Sequence, residues 1–226
     1  MINDSDLEIT HVEIKDIRFP TSNDLDGSDA MNLSPDYSAA TVVLHTTNSN
    51  LQGHGMTFTL GRGTEICVKA IESLQPLIVG QKLADIVGDM GKFWKYMTGD
   101  SQLRWIGPEK GAIHLATAAI INAVWDLWAK LEDKPLWALL SELPVETILA
   151  SIDWRYLRDV LAPEDARAIL ERGRQDAGER RAEMLQRGPL AYSTSGWLGL
   201  SDAEVLANIQ DLQRLGFRHF KAKVGS

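Results

Sequence analysis

One cysteine, Cys67, stands in 226 residues, so no internal disulfide is available and a disulfide-built secreted scaffold is excluded. A basic excess is missing too. The formal net charge is −8, which argues against a general affinity for nucleic acid or an anionic membrane surface. Basic residues are scattered, apart from a mixed run over 171–187. Long apolar runs are scarce. The longest, 112–129, is interrupted by His114, Asn122 and Asp126, which suits a buried helix better than a membrane span. The first residues, among them Asn3, Asp4, Asp6 and Glu8, are polar and acidic, with neither an apolar signal segment nor an Arg-rich transit pattern. The default location on this reading is cytoplasmic, with a mitochondrial one left open. His54 and Cys67 lack a second pair of ligands, so no zinc site is indicated. No serine sits in a nucleophile elbow. The carboxylate-rich loop Asn23-Asp24-Leu25-Asp26-Gly27-Ser28-Asp29 fails as a calcium loop of the EF-hand type. Counted from Asp24, the glycine is fourth rather than sixth and the twelfth position is Pro35.

What is present is enough chain for a sizeable core, in one domain or two. Residues 7–19 alternate as a strand does, with Ile9, Val12, Ile14 and Ile17 between polar neighbours. A polar loop, 20–36, follows. The β-branched run 39–46, the turn signal Asn48-Ser49-Asn50 and the return strand 51–59 complete a small antiparallel sheet. Helical spacing then takes over. Thr64 caps a helix that ends near Pro76, another spans 83–97, and the strongest starts at Pro108. In that last helix Ile113, Thr117, Ile120, Ile121, Val124, Trp128 and Leu131 share one face. A short helix over 136–140 follows. Tryptophans 94, 105, 125, 128 and 137 read as core or inter-domain packing. Residues 1–146 therefore form an α+β domain.

From residue 147 the pattern changes. A strand over 148–154, charged helices over 163–187, a short strand over 190–194, a helix over 202–215 and a final strand suggest βα units with parallel strands. A complete βα barrel takes about 250 residues. Only 79 residues follow Thr147, so the second domain, 147–226, reads as an opening portion.

Two places invite chemistry. The loop around residues 23–29 is either a solvated stretch of Asx turns or a lid over a substrate. In the final strand, Phe220, Ala222 and Val224 alternate with Lys221, Lys223 and Gly225, so the two lysines share a face. Crowded ammonium groups repel, and a water-poor site disfavours the charged form further, which is the condition a lysine needs to act as a base. The plain alternative is a strand end with two solvated lysines. Gly61-Arg62-Gly63, ahead of a helix, reads as a turn, with anion binding as the weaker alternative.

Several stretches together resemble the enolase superfamily, of the mandelate racemase and muconate lactonizing enzyme type, and within it the L-fuconate dehydratase family. They are Asp16-Ile17-Arg18-Phe19-Pro20-Thr21-Ser22, Asp29-Ala30-Met31, Pro35-Asp36-Tyr37-Ser38-Ala39-Ala40 and Thr57-Phe58-Thr59-Leu60-Gly61. The narrowest is Gln102-Leu103-Arg104-Trp105-Ile106-Gly107-Pro108-Glu109-Lys110-Gly111. His114 to Ala119, Asn122 to Lys130, Trp197-Leu198-Gly199 and Lys221-Ala222-Lys223 complete the set. The resemblance implies a capping domain followed by the first, incomplete part of a modified TIM (β/α) barrel. It implies Mg²⁺-dependent dehydration of an acid sugar, L-fuconate to 2-keto-3-deoxy-L-fuconate. Lys223 would be the base, and Lys221 would meet the substrate carboxylate and ease deprotonation of Lys223. Gly27, Ser28 and Asp29 would read the sugar hydroxyls from the capping loop, with Tyr37 a further contact. The metal ligands and the general acid would lie on later barrel strands, so no residue here is assigned to the metal, and this chain alone is expected to be inactive. A homo-oligomer is implied for the complete protein. The alternatives are another acid-sugar dehydratase or racemase of the superfamily, or a short non-catalytic product that binds ligand or a full-length subunit.

Overall fold

Alternating apolar side chains carry the first three strands of the computed structural model, which describes residues 6–107 and 111–224. Strands β1 (Ile9–Ile17), β2 (Ser38–Thr46) and β3 (Gln52–Thr59) form an antiparallel meander in the order β1-β2-β3. Val12 pairs with Leu44 and Ile14 with Val42, which sets one apolar face inward. The Thr46 hydroxyl closes the β2–β3 turn, 2.9 Å from the carbonyls of both Asn48 and Leu51.

Helices α1 (Thr64–Leu74), α2 (Leu83–Gly88), α3 (Met90–Thr98) and α4 (Ala112–Leu131) cover that face. By length and composition alone α4 could cross a membrane. Instead it packs on β3, β2 and α1, with Ile113, Ile120, Val124 and Leu127 buried. Two glycines make the approach possible. A Cβ on Gly53 would strike the carbonyl oxygen of Ala123, and one on Gly55 that of Ala119. The helix start expected at Pro108 lies outside the described residues, and α4 is capped by Gly111. The single helix expected over 83–97 is two. Asp89 leaves helical geometry at φ −152° and accepts from the Lys92 N–H, ending α2 and capping α3. Thr64 is the first residue of α1 rather than its cap, which is Gly63.

Beyond α5 (Leu136–Glu142) lies helix α6 (Val145–Ser151), where a strand was expected over 148–154. Val145 and Leu149, four apart, bury one helical stripe against Ala166 of α7 (Pro163–Arg174), so the period is helical and not two. The expected boundary between residues 146 and 147 thus falls inside α6. The charged stretch 163–187 divides into α7 and α8 (Ala177–Arg187). Strand β4 is Ser193–Gly196, later than the expected 190–194. Helix α9 (Asp202–Arg214) begins with a capping box between Ser201 and Glu204, and Gly216 follows its end at φ +95°. Strand β5 (Phe220–Ala222) then pairs in parallel with β4. Not every tryptophan packs inward. Trp128 is buried and stacks on Trp125, whereas Trp105 is 74% exposed and Trp137 is half open beneath the Arg181 guanidinium.

Candidate functional site

The polar loop between β1 and β2 is closed at its base by short side chains. The Thr21 hydroxyl donates to the Pro35 carbonyl at 2.8 Å and accepts from the Tyr37 N–H at 2.9 Å. Ser22 donates its N–H and its hydroxyl to Asp36 Oδ1, at 3.1 and 2.6 Å. These two bonds, the hydroxyl first, hold the Asp36 carboxyl below its usual value. Tyr37 stands beneath the loop. Its ring meets Phe58 edge-on, and its hydroxyl donates to the Gly27 carbonyl at 3.1 Å. Gly27 has φ +81°, and a Cβ there would enter the Tyr37 ring. Gly27 and Tyr37 therefore support the loop, and the phenol is turned into it.

The tip is an Asx turn. Asp29 Oδ1 accepts from the N–H of Met31 (3.0 Å), the N–H of Asn32 (2.8 Å) and the Asn32 side-chain amide (3.2 Å). Oδ2 faces away from the turn and accepts from Lys223 Nζ at 3.1 Å. The Asn32 N–H first, then the Lys223 ammonium, bring the Asp29 carboxyl down to about 2. Ser28, 2% exposed, docks the same tip on the β4–α9 connection. Its hydroxyl oxygen accepts from the Gly199 N–H at 3.1 Å and its carbonyl from the Leu198 N–H at 3.4 Å. Leu25 lies against Gly199, where any side chain would collide with it.

On the other side of the contact, the Lys223 N–H donates to the Gly196 carbonyl at 3.0 Å and so extends the β4–β5 pairing by one residue. The two lysines take different partners. Lys223 meets Asp29, with side chains 22% and 26% exposed, while Lys221 lies 5.8 Å over the Tyr192 ring. Five of the residues singled out from the sequence thus form one constellation: Ser28, Asp29, Gly27 with Tyr37 beneath it, and Lys223. Lys221 points to its own aromatic partner. Sequence reasoning missed Asn32, which shapes the Asp29 carboxylate, and Thr21 with Asp36, which close the loop. The Asp-x-x-Asn spacing at 29 and 32 was the available signal.

Among the described residues no group of three or more His, Cys, Asp or Glu side chains could hold a metal ion. The Gly61-Arg62-Gly63 segment is a turn, and Glu65 itself accepts from the Gly63 N–H at the start of α1. A cleft of about 760 Å³ lies elsewhere, between α5 and α8, lined by Trp137, Arg181, Met184 and Leu185 among others. It is remote in sequence and in partners from the Asp29–Lys223 contact and shares no residue with it.

Residues 30–141 match the family model for the mandelate racemase / muconate lactonizing enzyme N-terminal domain. The chain is 48% identical over 223 residues to L-galactonate dehydratase of Hypocrea jecorina, covering 98% of this chain and 49% of that protein. The crystal structure of human mitochondrial enolase superfamily member 1 superposes with a TM-score of 0.94 at 47% identity, over 99% of this chain and 51% of that one. L-talarate/galactarate dehydratase from Salmonella typhimurium LT2, solved with Mg and L-lyxarohydroxamate, shares the fold at a TM-score of 0.65 and 17% identity, over 100% of this chain and 46% of that one. The chain spans about half the length of the curated relatives it matches. The architecture is that of an α+β capping domain and the start of the barrel that follows it.

Proposed function

We propose, from the match of residues 30–141 to the mandelate racemase / muconate lactonizing enzyme N-terminal domain, that this chain supplies the lid and the base of an acid-sugar dehydratase of the enolase superfamily. The observation that carries the reading is the contact between the capping loop and the strand lysine, Asp29 Oδ2 to Lys223 Nζ at 3.1 Å. A loop that reaches the lysine encloses it, and enclosure is what proton abstraction beside a carboxylate needs. Lys223 Nζ takes the proton from the carbon next to the substrate carboxylate. The β-hydroxyl leaves as water, and the enol that remains becomes the 2-keto-3-deoxy acid. Lys221 meets the substrate carboxylate. Ser28 and Asp29, with Gly27 and Tyr37 behind them, present the loop to the sugar hydroxyls.

We assign the substrate as L-fuconate. L-Galactonate, the substrate named for the fungal relative, differs from it only by a hydroxyl at C6, so one pocket could take both. A proton beside a carboxylate is very weakly acidic, and a dication offsets the charge that builds up when it leaves. Mg²⁺ is the cofactor we propose, in keeping with the Mg bound in the Salmonella dehydratase. The described residues do not themselves fit a magnesium site. We place its ligands, and the general acid, in the part of the relatives' length that this chain does not share, and the chain alone is then inactive. The mitochondrial naming of the human relative favours a mitochondrial place over a cytoplasmic one. The complete protein is proposed as a homo-oligomer that takes a small acid sugar, with no nucleic-acid or membrane partner.

The test is an assay of the natural protein, its intact mass measured first, on L-fuconate, L-galactonate and galactarate. Formation of 2-keto-3-deoxy acid that stops on chelation is the expected result. Turnover by the purified 226-residue chain, or none by a heavier natural protein, would overturn the assignment.

A further inference from the structure

The loop is docked on the β4–α9 connection and on the end of β5, and the docking uses the ammonium that the proposed chemistry would need. Asp29 carries its Oδ2 straight to Lys223, while its Oδ1 is fixed by three donors from Met31 and Asn32. The carboxylate is therefore pre-aimed and does not swing freely. The loop base is pinned independently through Thr21, Ser22 and Asp36, so the tip can leave without the base unravelling. At the tip Ser28, Leu25 and Asp29 reach the second half of the chain.

We propose that Asp29 is an internal lock: its carboxylate engages Lys223, keeps the loop seated, and parts from it when a small acid enters with its carboxylate on Lys221. An ammonium donates and accepts nothing. An Nζ turned to Asp29 is not turned to a substrate carbon, so the contact must part before Lys223 can act as the base. Both side chains are about a quarter exposed, so water and solutes reach the pair and it can exchange. The chemical class of the entering ligand rests on the dehydratase reading; the lock itself does not.

Two readouts follow it without any turnover. Hydrogen–deuterium exchange of the Leu198 and Gly199 amides, which donate to Ser28, reports the seating of the loop. Acetylation of Lys223 read by mass spectrometry, with Lys221 in the same peptide as the reference, reports the ammonium. Asp29→Asn should raise both by about two- to five-fold, the effect of losing one exposed ion pair. Lys223→Met leaves every Asp29 turn donor in place and should raise the exchange of the two amides alike, which decides the matter if Asp29→Asn does not fold. Unchanged amide exchange in the folded variants would overturn the lock. The acid-sugar reading stands or falls separately, on turnover by the natural protein, because the amide exchange of these variants involves no acid sugar.

Discussion

The sheet with α1–α4 and the stretch from α6 to β5 are built on different terms. In the first, Ile9, Val42, Leu44, Ile71, Leu74, Ile113, Ile120 and Leu127 converge on one continuous core. In the second, the buried apolar cluster is Val145, Leu149 and Ala166. Val160, Leu185, Leu190 and Leu215 there are mostly exposed. Each fully buried large aliphatic side chain contributes about 1.5–3 kcal/mol. The first region can therefore hold itself together, whereas the second depends on helix caps, surface ion pairs, the packing of α6 on α3 and the loop that reaches it from the first. That loop is at once the candidate functional feature and a tie between the two regions.

Substitutions should separate them sharply. Ile120→Ala, at a fully buried site on α4, should cost about 2–5 kcal/mol in urea unfolding. Leu190→Ala, at 96% exposure, should change the same measurement by no more than about 0.5 kcal/mol. Equal losses would erase the distinction. Gly55→Ala comes next. Its new Cβ meets the backbone of α4 rather than a movable side chain, so the helix must shift, at about 1–3 kcal/mol in the same assay. Hydrogen exchange gives a gentler comparison. Amides of α4 should exchange through global unfolding, and those of α8, which buries no residue fully, through cheaper local opening. Protection of α8 equal to that of α4 would mean that the second region is stabilised by something beyond its cluster.

The same division governs what the sequence discloses. In the core region strand alternation and helical spacing place β1–β3 and α1 within a residue or two of their observed bounds, because burial enforces the period. Where burial is slight, the period misleads. Ile148 to Trp154 looks β-branched and alternating, yet Pro144 starts a helix and the Val145–Leu149 stripe decides it. Asp89 was hidden inside a continuous helical pattern because one N-cap can split it without changing the spacing of apolar residues. Of the candidate site, Lys223 and the Ser28–Asp29 tip were visible as chemistry-bearing residues. Their meeting across 194 positions was not, since nothing local encodes a contact between a loop tip and a distant strand. Nor could spacing tell that Lys221 would turn to Tyr192 while Lys223 turned to Asp29.

The smallest effect tests the tie itself. The Asp29 carboxyl lies at about 2 against an ordinary 3.8, chiefly through the Asn32 N–H and then through Lys223. A lowered folded value means that the carboxylate form is the one the docked loop favours. Its contribution is fully present above about pH 4 and is lost as pH falls through 2. The Asn32 amide resonance, followed by NMR from neutral pH downward, should accordingly move with a midpoint near 2. In Lys223→Met the midpoint should rise part of the way towards 3.8, because the turn donors remain and only the ammonium is gone. A midpoint at 3.8 in the unaltered chain would show that the tip is free in solution and that the two regions meet through the packing of α6 on α3. A midpoint that stays put in the variant would leave the Asx turn intact but remove Lys223 from the tie.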